Sequence, residues 1–265
     1  MGPTRRYAAA VRALQWGQVL FELALLVIGI LIALAVNNWM DERREARAER
    51  QYLELLARDL EQDLETLDEI RRFEEAQIAA SIVVFRGLRR GVAPGEREAV
   101  AAALGQLTSR RTLRLRRAAY TNLLSTGELR LIRNTALRDR LVRLYENNER
   151  AQTIRDRNNQ EYVDRMYMTH LLDQGLVAPR PARTLPSVSR SDSAYADRVG
   201  VVPRVEDDPL WRLPKDAPQL YVLANRAWYR GTVSENALFQ TREVVADIGQ
   251  VRQAIERELA ERRWP

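Results

Sequence analysis

The sequence has no cysteine and a single histidine, His170. The first absence excludes disulfides and thiolate chemistry and suits either side of a membrane. Together the two absences leave a zinc site to be built almost wholly from carboxylates, so no metal site and no cofactor is expected. Lysine is nearly missing as well, since Lys215 stands alone and the net charge of +6 rests on arginine. Those arginines are mixed with acids along most of the chain, which argues against nucleic acid as a partner. Aromatics are sparse at 7%. No Walker-type loop, dinucleotide fingerprint, metal-ligand spacing or internal repeat is found, and no enzyme is expected.

What is present favours helices. Ala, Leu, Arg and Glu dominate, 29% of residues are charged, and the chain is long enough to bury a real core, so the expected fold is all-α. Val19 to Val36, VLFELALLVIGILIALAV, is apolar except for Glu22. At about 1.5 Å per residue it covers roughly 27 Å, close to the hydrocarbon thickness of a bilayer. Trp16 and Trp39 flank it as interfacial anchors. The lipid bilayer is thus the first expected partner, with residues 1–18 a short flank and 19–37 a transmembrane helix. A cleaved signal peptide would have a shorter apolar core and a small-residue cleavage site, whereas this one runs into Asn37-Asn38-Trp39. The N-flank carries Arg5, Arg6 and Arg12 with no acid, while Arg43, Arg44, Arg47 and Arg50 beyond the span are interspersed with acids. The unopposed charges place the N-terminus in the cytoplasm and the large domain outside it, in the periplasm of a bacterial inner membrane.

Glu22, Gly29 and Ala33 fall at i, i+7 and i+11, which puts Gly29 and Ala33 each within about 20° of Glu22 on a helix, and Asn37 continues near that stripe. Small residues allow close helix approach, and an acid near the lipid boundary favours a polar partner. The stripe is a candidate helix-association face for a homo-oligomer or for another membrane protein; the alternative is a Glu22 that snorkels to the headgroups beside an incidental Gly29.

The run FELALLVIGILIALAVNNWMDERR, Phe21 to Arg44, resembles the N-terminal signature of a family of uncharacterised bacterial single-pass membrane proteins. AYTNLLSTGELRLIRNTALRDRLVRLYENNE, Ala119 to Glu149, resembles the downstream part of the same family. Ala35-Val36 stands where that family commonly has Gln before Asn-Asn-Trp. The resemblance implies an anchored helical domain and nothing catalytic.

Beyond the span, residues 38–174 read as a bundle of long helices. From Asp41 to about Arg90, Leu53, Leu56, Leu60, Leu64, Leu67 and Ile70 make a narrow stripe, which serves either a parallel coiled coil or packing against later helices. Glu54, Asp59, Glu61, Asp63, Glu65, Asp68 and Glu69 read as a solvated face. Gly87, Gly91, Pro94 and Gly95 turn the chain back into a short helix near Glu96 to Leu107. Arg110, Arg111, Arg114, Arg116 and Arg117 form the densest positive charge, open to three uses: pairing with the acidic face, binding lipid headgroups or other anions, and contacting nucleic acid. Gly127 suits a helix stop, and Asn134 an N-cap for a helix from Thr135 to Leu172 with Leu137, Leu141, Leu144, Tyr145, Ile154, Tyr162 and Met166 buried. Residues 175–218, which hold most of the ten prolines, read as a Pro/Ser-rich loop or arm in which Trp211 is either an internal anchor or a partner contact. Residues 219–265 are expected to complete the bundle as two helices, Gln219 to Tyr229 and Ser234 to Arg262, with Leu238, Val245, Ile248, Val251, Ile255 and Leu259 as the buried stripe of the second. Two functions fit this anatomy: a non-catalytic membrane-anchored scaffold that oligomerises or recruits a partner, and an extracytoplasmic ligand-sensing domain that signals through a partner protein.

Overall fold

The computed structural model describes residues 4–174, 205–262 and 264, with side chains from residue 20 onward. The first helix, α1 (Thr4–Arg90), is 87 residues long. No proline falls between Pro3 and Pro94, so nothing in the sequence interrupts it, and at about 1.5 Å per residue it extends roughly 130 Å. Its apolar part carries the one stretch among the described residues that is long and apolar enough to cross a membrane, with mean hydropathy 2.5 and none of it buried. The span and the first bundle helix are one rod.

A turn at Gly91 (φ 89°) and a short 3-10 turn at Pro94–Glu96 lead into α2 (Arg97–Gln106). An extended segment then reaches α3 (Ala118–Ser125), which ends at Gly127 in the left-handed region with φ 71°. Asn134 caps α4 (Thr135–Asn158) by accepting the Leu137 N–H at 3.0 Å. The helix continues without a break through a π-helical stretch, Asn159–Met168, into α5 (Thr169–Gln174). Two 3-10 turns, Val205–Asp207 and Pro209–Arg212, precede α6 (Pro218–Glu261), 44 residues long. Among the described residues no strand is present. Most of the expected Pro/Ser-rich loop, residues 175–204, lies outside them.

α6 lies antiparallel along the distal half of α1 in the most extensive contact of the fold. Arg262 meets Glu49 near the membrane, Gly231 faces Ser81 midway, and Arg89 lies over Tyr221 at the far end. Burial along α1 runs through 46, 49, 53, 56, 60, 63, 67, 70, 74, 77, 81, 84 and 88 in alternating steps of three and four, with 80 and 87 buried beside the stripe toward its distal end. The stripe is therefore filled by α6 and the other helices of the same chain, which leaves a parallel pairing of two copies over this length without its seam.

The core has two apolar clusters. Leu53, Leu56, Leu60, Leu67 and Ile70 of α1 meet Leu123, Leu141, Leu144, Ile248, Val251 and Ile255 in the membrane-proximal one. Val84 and Leu88 meet Leu104, Tyr167, Leu210 and Leu223 in the distal one. Each fully buried leucine contributes about 1.5–3 kcal/mol.

Four expectations are corrected. The C-terminal region is one helix, and Ser234 is not its cap but a wholly buried side chain in its middle, bonded by Arg230. Asp63 does not belong to a solvated acidic face; it is fully buried. On α4, Ile154 is exposed while Arg155 points inward, and past it Val163, Tyr167 and Leu171 are the buried residues, with Tyr162 and Met166 only partly covered. The inward arginine is drawn by a buried acid, and the wider i→i+5 turns of the π stretch then advance the buried face in steps of four. Likewise on α6 it is Val244 that is buried and Val245 that is exposed.

Candidate functional site

Glu22, Gly29, Ala33 and Asn37 lie on the exposed span, where every residue from 20 to 45 is solvent-accessible within the single chain. Nothing comes within 4 Å of where a Gly29 Cβ would stand. Asn37 donates to the Asp41 carboxylate at 3.1 Å, one turn on. Trp39 is half-exposed with the Arg43 guanidinium 4.1 Å above its ring, a cation–π pair at the end of the apolar run. The Trp16 side chain lies outside the described residues.

The basic segment is spent inside the chain. Arg111 pairs with Glu69 at 3.0 Å, Arg114 with Asp156 at 3.3 Å, Arg116 with Asp63 at 3.2 Å and Arg117 with Glu149 at 3.8 Å, and Arg110 pairs with Asp164. Asp63 also accepts the Arg116 backbone N–H, and this clamps the extended segment across α1. Burial raises the Asp63 carboxyl above its ordinary range against the opposing pull of Arg116. Each of the five arginines thus faces an acid of the same chain, which is the first of the three uses the sequence left open.

Trp211 is likewise internal. Its indole N–H donates to the Val205 carbonyl at 2.6 Å, its ring packs on the distal cluster, and Arg97 lies 5.9 Å from its centroid. It pins the stretch before α6 and stays partly exposed. His170 is partly buried, and burial with the nearby Arg226 charge lowers its pKa, Asp173 opposing.

Sequence reasoning missed the polar layer between the two apolar clusters. Glu74, Gln77 and Ser81 of α1 face Arg155 of α4 and Arg230, Ser234 and Thr241 of α6, all buried. Arg155 bonds Glu74 at 2.9 Å, the Ala237 carbonyl at 3.0 Å and the Thr241 hydroxyl at 2.8 Å. Arg230 donates to the Leu107 and Ser109 carbonyls, closing the end of α2, as well as to Ser234. Burial lowers the pKa of both guanidiniums, and Glu74 holds each toward its charged form. The Gln77 amide has no hydrogen-bond partner among the described residues. The one available signal was that Arg155 falls two heptads after Leu141, too weak to separate from a solvated helix face.

A family of unknown function, DUF6090, matches residues 22–165. The chain belongs to this family. No curated protein and no solved structure matches the chain. The DUF6090 region begins at Glu22 of the span stripe and takes in α1 beyond it, the arginine segment and Arg155. It therefore supplies one side of the polar layer, while Arg230, Ser234 and Thr241 come from α6 beyond the matched residues.

Outside the DUF6090 match, α6 also presents an exposed aromatic face. Tyr221, Trp228 and Phe239 are 41%, 55% and 61% exposed, and steps of seven and eleven put them on one side of the helix. Trp228 packs on Phe85 of α1 at 5.1 Å, with Ile82 one turn away.

Proposed function

We propose that this DUF6090 member is a single-pass anchor of a bacterial inner membrane whose helical domain stands in the periplasm and acts as a non-catalytic scaffold, self-associating or recruiting a membrane partner. The observation that carries the proposal is the stripe of Glu22, Gly29, Ala33 and Asn37, which none of the described residues covers and which leaves Gly29 open to a second helix. The exposed Tyr221, Trp228 and Phe239 add a surface of the kind partners use, at the far end of the same rod.

Cross-linking and mass measurement in detergent test the association. The wild-type chain is expected as a dimer or larger species, and Gly29→Leu with Glu22→Leu is expected to weaken it by roughly tenfold. A monomeric wild type, or unchanged variants, would remove the span face from the proposal. A reporter fused after Pro265 reads the orientation, with activity expected only from an exported form; cytoplasmic activity reverses the placement.

The second function, ligand sensing through a partner membrane protein, is favoured by one feature, a positively lined cavity at the membrane-distal end.

A further inference from the structure

A cavity of about 240 Å³ lies at the tip of the bundle, beside the turn that ends α1. Its apolar walls are Leu88 and Val92 from the end of α1 and its turn, Leu210 and Leu213 from the stretch before α6, and Leu220 of α6, with Trp211 at the side. Two cations complete it, Arg97 at the start of α2 and Lys215, the only lysine of the chain. No acid is among the lining residues. The grooves along α4 and α6 differ in kind, because there arginines such as Arg140 and Arg150 are mixed with Asp247, Glu243 and Glu258.

Among the described residues neither cation is matched to an acid. Among the described residues the Arg97 guanidinium has no ion pair, its Nε is buried without a hydrogen-bond partner, and its one contact of note is the Trp211 ring. Elsewhere the inward-facing arginines are matched to acids or carbonyls, as Arg155 and Arg230 are. The Lys215 stem is held over the turn by Gly91, where a Cβ would stand 3.1 Å from the Lys215 Cε and where φ 89° itself calls for glycine. The turn thus leaves room for the ammonium group beside the cavity.

We propose that this cavity binds a small carboxylate with a short apolar body. The terminal guanidinium nitrogens of Arg97 take the carboxylate, Lys215 adds a second charge, and the leucine walls with Trp211 hold the rest. The volume is ample for a small acid such as hexanoate or benzoate. The site is independent of how the spans associate.

Calorimetric titration of the full-length chain in a nonionic detergent tests it with four probes: benzoate, hexanoate, benzyl alcohol and inorganic phosphate. Saturable binding of benzoate and hexanoate is expected, with benzyl alcohol and phosphate at least about tenfold weaker, because each lacks one half of the recognised group. Arg97→Met should weaken benzoate by about tenfold or more, and Lys215→Met by a smaller factor. Lys215 is exposed, so its replacement leaves folding unaffected and carries the test even where Arg97→Met does not fold. Equal binding of benzoate and benzyl alcohol, phosphate binding as tight as benzoate, or folded variants that bind benzoate like the wild type would each overturn the assignment.

Discussion

Replacing Arg155 by methionine is expected to lower the stability of the full chain by about 3–5 kcal/mol, because it leaves the Glu74 carboxylate buried without its counter-charge. Glu74 is 4% exposed and Arg155 likewise 4%, and their bond of 2.9 Å joins helices that are distant in sequence. For a chain of this size the loss corresponds to a fall in Tm of about 6–20 °C in a detergent-solubilised thermal melt. The Ala237 carbonyl is not orphaned by the change, since the Thr241 hydroxyl also donates to it at 2.7 Å, so the effect isolates the acid. Glu74→Leu combined with Arg155→Met should recover most of the loss, an apolar pair of similar volume being about as good as a buried ion pair. If Arg155→Met costs no more than an ordinary surface change, about 0.5 kcal/mol, the polar layer does not bear on stability in the way its geometry implies.

The second large effect is expected at Gly231, where α6 comes closest to α1. An added Cβ would stand 2.2 Å from the Ser81 hydroxyl oxygen and 2.8 Å from the Ser81 Cβ. The helices cannot part locally, because the alternating three-and-four packing continues above and below this level. Gly231→Val should therefore cost about 3 kcal/mol, the upper part of the range for overpacked cores. Gly231→Ala should cost less, since alanine regains about 1 kcal/mol of helix propensity. The reciprocal pair Ser81→Gly with Gly231→Ala keeps one glycine at the crossing and moves it to the other helix, and its melt should return close to that of the wild type. A Gly231→Val chain as stable as the parent would mean that the two helices do not pack at this spacing.

Both positions illustrate how partial the sequence signal was. The apolar stripe of α1 was legible from Leu53 to Ile70, but choosing Leu64 over Asp63 blurred its period, because a charged residue was not counted as inward-facing. With Asp63, Glu74, Gln77 and Ser81 included, the alternation is regular from residue 46 to residue 88. The same omission hid Arg155 and Arg230 and split α6 at Ser234. Gly231, between the two helices expected there, is the contact that lets one continuous helix pass α1. The arginine segment was open to three uses in sequence, and only the structure places Glu69, Asp63, Asp156, Asp164 and Glu149 around it. The tip cavity had no sequence signature, since Arg97 and Lys215 are more than a hundred residues apart.

By itself the sequence determined the apolar run that begins with Glu22, the all-helical class, the turn at Gly91, the stop at Gly127 and the cap at Asn134. Each of these rests on local properties: hydropathy over one stretch, side-chain volume, the φ a residue tolerates, a hydroxyl or amide next to free N–H groups. The tertiary structure alone decided which charged residues are buried, where two helices touch through a glycine, and which cations are left unpaired. Burying a charge is favourable only beside a counter-charge or carbonyl that comes from elsewhere in the chain, and no window of sequence contains both.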